Sequence, residues 1–132
     1  MRQAQKEFTV NEALLRADLA IQCAVDGERD DPPAAPVAGE AWLVGEAPSG
    51  AFAGHAGAIA GWSDAGWRFV EPATGLRVFD KDLGCFRHYD AGWSSPIAPP
   101  APSGGTTVDT EARAALVNLV ERLIEAGIFP AG

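Results

Sequence analysis

Two proline-rich segments limit this chain more than any other feature. ERDDPPAAPVAGE (28–40) and SSPIAPPAPSGG (94–105) lack the donors and the φ freedom that a helix interior or a central strand needs. They divide the sequence into a helical opening at 1–27, a connector at 28–40 and a compact middle at 41–93. A second linker at 94–106 and a closing helix at 107–129 complete the order. Each Pro-rich piece is expected to be extended, the second as a semi-rigid spacer.

In the opening segment, Thr9-Val10-Asn11-Glu12 has the form of a capping box, with Thr as N-cap and Glu three residues on. Val10, Leu14, Ala17, Ile21 and Ala24 then recur at spacings of 4, 3, 4 and 3, which predicts a helix over about 10–25 with a 3.5-residue stripe. Leu15, Leu19 and Cys23 form an adjoining stripe, and Asp26-Gly27 is read as the stop, with Gly as the left-handed cap. The closing segment repeats the rhythm. Thr107 to Glu111 opens a helix, Ala112, Leu116, Leu119, Leu123 and Ala126 form the stripe, Val117, Val120 and Ile124 widen it, and Gly127 ends it. Such a helix, separated from the rest by a spacer, carries more apolar surface than a solvated helix needs. Val10, Leu14, Ala17, Ile21, Leu116, Leu119 and Leu123 are therefore the candidate self-association residues.

Between the linkers the pattern is β-like. Ala41 to Gly45 is a strand, Ile59–Trp62 and Trp67–Val70 make a hairpin around Ser63-Asp64-Ala65-Gly66, and Leu76–Asp80 with Cys85–Tyr89 make another. Asp90-Ala91-Gly92-Trp93 repeats Asp64-Ala65-Gly66-Trp67, which suggests a small antiparallel meander with each Trp re-entering the sheet equivalently. The fold class is α+β: a small antiparallel β-meander domain flanked by an N-terminal helix and a C-terminal oligomerising helix. In Ser49 to Trp67, Gly and Ala fill 11 of 19 positions. Because this stretch runs into alternating strands, Ser49 to Gly57 is a tight loop rather than a linker.

Charge and chemistry exclude several function classes. A formal charge of −8 argues against nucleic acid and against an anionic membrane surface. MRQAQKEF has no signal-peptide core, so general secretion is not expected. Cys23 and Cys85 lack a zinc-type spacing and are read as buried small residues, with a disulfide as the alternative. The carboxylates Asp64, Asp80, Asp82 and Asp90 fall at turns, where Asp is favoured locally. Asp80-Lys81-Asp82-Leu83-Gly84 has the start of a calcium loop but lacks the later ligands, so a hairpin turn is preferred. No catalytic residue, metal site or cofactor is assigned, and the chain is read as no enzyme. Trp42, Trp67 and Trp93 are core candidates. Phe52, His55 and Trp62, beside the glycine loop, are the candidate glycan contacts. The competing roles are core packing for Phe52 and Trp62, and loop hydrogen bonding for His55.

QAQKEFTVNEALLRADLAIQCAV, the GEAWLVG segment and SGAFAGHAGAIAGWSDAGWRFVEPATGLRVFD together resemble a fibre-protein domain family of alphaproteobacterial phages and gene transfer agents. The resemblance runs from about Gln3 to Trp93. It departs at Arg77, where an aromatic would be expected. It implies a structural virion component, a head-spike or tail-fibre protein, made in the bacterial cytoplasm and carried on the particle. It further implies a homo-oligomer, trimer or pentamer, alongside capsid, portal or tail and fibre proteins. The service would be host attachment, through surface polysaccharide or by anchoring another fibre. The alternative is a stand-alone carbohydrate-binding module with no particle role.

Overall fold

A computed structural model describes residues 2–21 and 24–132; for residues 2–5, 15 and 20 it describes the backbone alone. Cys23, expected to be buried, lies outside the described residues, as does the side chain of Leu15. The order is α1 (Arg2–Ile21), β1 (Ala24–Val25), β2 (Glu28–Arg29), β3 (Ala41–Val44), a 3-10 turn (Gly50–Phe52), β4 (Ile59–Ser63), β5 (Gly66–Val70), β6 (Arg77–Asp80), β7 (Cys85–His88) and α2 (Thr110–Glu125).

The fold is α+β. Antiparallel β3–β4–β5 and β6–β7 pair as the sequence predicts, and the strands divide into two sheets of order β1-β6-β7 and β2-β3-β4-β5. The outer strands β1 and β2 join in parallel, from residues that the periodicity had placed at a helix end and in the connector. The compact unit thus begins at Ala24 rather than Ala41. Gly27 is not a helix cap. It is the crossing point between the sheets, at φ +148°, and a Cβ there would lie 3.3 Å from the Cβ of Asp82 and 3.5 Å from the Trp42 ring. Beside it, the Asp26 carboxylate accepts the Ala41 N–H at 3.0 Å and pairs with Lys81 Nζ at 2.8 Å, tying one sheet to the other.

Helix α1 also begins earlier than the capping box implies, so Thr9 sits inside it. The preceding Gln-Ala-Gln-Lys-Glu run is made of good helix formers, and continuing the helix satisfies the orphan donors that a cap would otherwise serve. The two Asp-Ala-Gly-Trp turns are not equivalent either. In the first, Gly66 takes positive φ and Trp67 enters β5; in the second, Ala91 takes φ +58° and Trp93 sends its indole N–H to the Gly57 carbonyl at 2.8 Å.

The four-stranded sheet is buried on both faces. Leu43, Ile59 and Ala41 meet Val25 and Val78 of the other sheet, with Leu19, Val70, Leu76 and Trp93 around them. On the reverse face, Val44 and Ala60 meet Phe52, bordered by Trp42, Trp67 and Phe69. Ile59, Ala60 and Gly61 are consequently buried in succession. At Gly61 the Leu19 side chain of α1 occupies the space of any Cβ, with its Cδ2 2.3 Å from that position.

Helix α2 starts at Thr110, three residues later than the expected 107, with Asp109 as its N-cap, the carboxylate accepting the Ala112 N–H at 2.8 Å. It stops at Gly127 in a Schellman arrangement, Ile128 N–H to Leu123 O at 2.8 Å and Gly127 N–H to Ile124 O at 2.9 Å. The spacer does not separate it from the β unit. The chain reverses at Gly104–Gly105, where Arg113 donates to the Gly104 carbonyl, and Pro99, Pro100 and Pro102 lie along Leu116, Val117 and Val120. The tail beyond the helix docks on β7 and its turn: Phe86 N–H donates to Gly127 O at 2.7 Å and Ala131 N–H to Leu83 O at 3.1 Å. Arg77 stacks over the outward Phe86 ring at 4.8 Å.

A buried ion network joins these parts. Arg87, 5% exposed, reaches Glu28 Oε2 at 2.7 Å and Asp80 Oδ2 at 3.4 Å, and its Nε donates to the Ser94 carbonyl at 2.7 Å. The Asp80 Oδ1 atom accepts the N–H groups of Asp82 and Leu83 at 3.0 and 3.1 Å, so the calcium-like run is a closed hairpin turn. Arg87→Leu strands the buried Asp80 carboxylate, and urea titration should show a loss of about 3–5 kcal/mol.

Cys85 is a buried free thiol beside this network. Burial first, then the Asp80 charge, push its pKa up against the opposing pull of Arg87. The folded state therefore holds the proton that the unfolded chain releases. The thiol's contribution is complete below the ordinary thiol range, near about 8.5, and is lost as pH rises above it. Relative to wild type, Cys85→Ala should gain in stability between about pH 8.5 and 10, read from thermal melts across that range.

Candidate functional site

The proposed contact residues fall on one row of rings, but not as three exposed faces. Alternation along β3, β4 and β5 puts Trp42, Ala60, Trp62, Trp67 and Phe69 on the same side of the sheet, since Trp42 pairs with Ala60, Ala60 with Phe69, and Trp62 with Trp67. The loop 49–57 folds over that side and inserts Phe52 into it. His55 stacks flat on Phe69 with centroids 3.7 Å apart, Phe69 meets the Phe52 edge at 6.1 Å, Phe52 meets Trp67 at 4.9 Å, and Trp67 meets Trp62 at 5.1 Å. The structure brings His55, Phe52 and Trp62 into one chain of rings through two residues, Trp67 and Phe69, that had been read as framework.

Phe52 is a correction. It is 0% exposed and is the keystone of the reverse-face core, so no ligand reaches it. Burial follows from the small side chain of Ala60 beneath it, which leaves the loop room to place a ring against the sheet. Trp42 and Trp67 border the same core, with Arg29 over the Trp42 ring at 5.0 Å, and Trp93 borders the other. His55 and Trp62 stay half-buried at the two ends of the row. The His55 backbone N–H donates to Phe52 O at 3.0 Å and its backbone carbonyl accepts the Ala58 N–H at 3.0 Å, main-chain bonds that close the loop without the imidazole. Its Nδ1 lies 3.5 Å from Glu71 Oε1.

A cleft of about 410 Å³ opens between the end of α1 and the β4–β5 turn, with Trp62 of the row in its wall beside Asp18, Glu40, Asp64, Arg68 and Lys81. Asp64 lines it and Asp82 does not. No group of three His, Cys, Asp or Glu among the described residues could hold a metal ion, and no described helix is long and apolar enough to cross a membrane.

The other candidate surface is helical. Val10, Leu14, Ala17 and Ile21 are all exposed on α1, Ile21 at 80%. On α2, Leu116 and Leu119 are exposed, at 50% and 55%, and Leu123 is half-buried. The adjoining stripes are the ones used inside the chain. On α1, Leu19 seals Gly61 and Glu12 Oε1 approaches Arg68 Nε at 3.5 Å. On α2, Val117 and Val120, together with Leu116, line a cleft of about 280 Å³ against the prolines. The sequence carried both stripes, but only the packing distinguishes the occupied one from the bare one.

Phe52→Ala should lower stability by about 3–5 kcal/mol in urea titration, as for a large core ring. Trp62→Ala, at the open end of the row, should cost clearly less in the same experiment.

No curated protein and no solved structure matches the chain. A family model described as a protein of unknown function, DUF2793, matches residues 10–94, from the bare stripe of α1 through both sheets to the first residue of the strap. The chain belongs to the DUF2793 family.

Proposed function

We propose that this protein is a self-assembling structural component of a phage or gene-transfer-agent particle, a fibre, head-spike or tail-fibre protein. It would serve attachment to the host surface or the anchoring of another fibre. The observation that carries the reading is the pair of bare apolar stripes on helices that flank a β unit with its own core. Val10, Leu14, Ile21, Leu116 and Leu119 are each 50% exposed or more. Together they present on the order of 550 Å² of apolar surface, shared between two helices, against the ~800 Å² per partner of a stable interface. A chain of net charge −8 with that much apolar surface aligned on two helices fits an assembly subunit better than a free monomer. The resemblance of residues 3–93 to phage fibre domains supplies the particle context.

A second reading has one observation in its favour. The ring row ending in half-buried Trp62 and His55 offers a shallow aromatic surface of the kind that stacks on sugar C–H faces, as a carbohydrate-binding module would use. In a particle, the same surface would be the part that meets host polysaccharide.

Light scattering on the purified full-length protein tests the assembly. A discrete oligomer is expected, a trimer for a fibre or a pentamer for a vertex. It should fall to monomer in Leu116→Glu/Leu119→Glu with an unchanged far-ultraviolet spectrum. A wild-type monomer at micromolar concentration would overturn the reading in favour of the binding module. Peptide mapping of particles released by cells carrying the gene tests the location, and the absence of the chain from them would remove the virion role.

A further inference from the structure

The two bare stripes have the same length and the same internal spacing, so one can be laid along the other residue for residue. Val10, Leu14, Ala17 and Ile21 cover twelve residues of α1 in steps of 4, 3 and 4; Ala112, Leu116, Leu119 and Leu123 cover twelve of α2 in the same steps. At about 100° per residue, the α1 stripe points directly away from Glu12 and Leu19, which hold that helix on the β unit. The α2 stripe lies roughly a quarter-turn from the side covered by the prolines. Within one chain, α1 packs on β5. Both stripes therefore face outward for a partner.

We infer that the α1 stripe of one copy packs antiparallel against the α2 stripe of a second copy, so that each subunit offers one stripe to each of two neighbours. This rests on the assembly reading above and names its partner surface. Superposing the stripes in opposite directions sets Val10 against Leu123, Leu14 against Leu119, Ala17 against Leu116 and Ile21 against Ala112. Each alanine then meets a large side chain, which fills the layer. A parallel pairing of either stripe with itself would instead stack alanine on alanine, whereas an antiparallel self-pair also sets each alanine against a large side chain, Leu14 against Ala17 or Leu123 against Ala112, so packing alone does not choose between the antiparallel pairings.

Flanking charge makes that choice. In the antiparallel α1–α2 register, Asp18 lies across the flank from Arg113. Among the described residues neither carboxylate oxygen of Asp18 has a hydrogen-bond or ion-pair partner, and Arg113 donates to the Gly104 carbonyl. Aligning α1 with itself, α2 with itself or the two in parallel brings no opposite charges together on the flanks of the full-length stripes. Because the interface joins two different surfaces, it is heterologous, and repeating it closes a ring or extends a filament.

The test mixes full-length Leu14→Cys with full-length Leu119→Cys under mild oxidation and maps linked peptides, so that Cys23 and Cys85 are scored separately. A 14–119 link between chains is the expected product. Links of 14 to 14 or 119 to 119 overturn the pairing and leave the assembly reading standing, as does an absence of links in a sample whose native mass is still oligomeric. An absence of links with a monomeric mass overturns both. As a second measurement, Asp18→Arg should weaken association a few-fold, and Asp18→Arg/Arg113→Asp should restore it. A double variant no tighter than the single one overturns the antiparallel register.

Discussion

The contact of Leu19 with Gly61 is what the arrangement of this protein hangs on. One helix can lie on the four-stranded sheet only because β4 presents no side chain beneath it, and the helix in turn closes the edge of the core between the sheets. On the reverse face Ala60 plays the corresponding part for Phe52. A strand of Ile-Ala-Gly at the centre of a sheet looks poor in apolar surface when taken alone. In place, its smallness lets two large side chains from elsewhere reach the backbone, so the area buried belongs to Leu19 and Phe52 rather than to the strand. The glycine- and alanine-rich stretch is thus a platform for close approach, and its ligand-like aromatic, Phe52, is internal for that reason.

Charge organises what apolar contact leaves loose. A β unit of this size has limited core, and its two sheets share no long strand. They are pinned by polar bridges at opposite sides of the Gly27 crossing: Asp26 to Ala41 and Lys81 on one, Arg87 to Glu28, Asp80 and Ser94 on the other. A buried arginine with three oxygen partners specifies position more than it adds stability, because the desolvation of the charges offsets much of their attraction. The pin also sets where the strap leaves the β unit, since Ser94 is one of its ligands. Geometry at Arg87 is in this way transmitted to the placement of α2.

Each helix carries two apolar stripes, and in each the chain occupies one. In the assembly proposed above, a helix docked by one face and bare on the other would hold neighbouring copies at a fixed orientation to the β unit, leaving the half-buried ends of the aromatic row, Trp62 and His55, uncovered. The family match covers α1 from Val10 onward and both sheets but stops at the start of the strap, so the α2 arm lies beyond the matched residues.

What local sequence determined was every element whose cause is local. The β3, β4–β5 and β6–β7 strands follow from alternation and turn residues, the α2 boundaries follow from Asp109 and Gly127, and the stripes follow from a 3.5-residue rhythm. What only the tertiary structure decided were features whose cause is a distant partner. Strands β1 and β2 are two residues long and become strands by pairing with β6 and β3, so no periodicity could announce them. The capping box at Thr9 was a sound local signal overridden by helix formers before it. Phe52 had the same local credentials as Trp62, and the room beside Ala60 made one core and the other surface. The proline spacer became a strap because α2 offered it an apolar flank. Sequence period can say that a residue faces a given side of its own element, but which body fills that side is settled only when the elements meet in space.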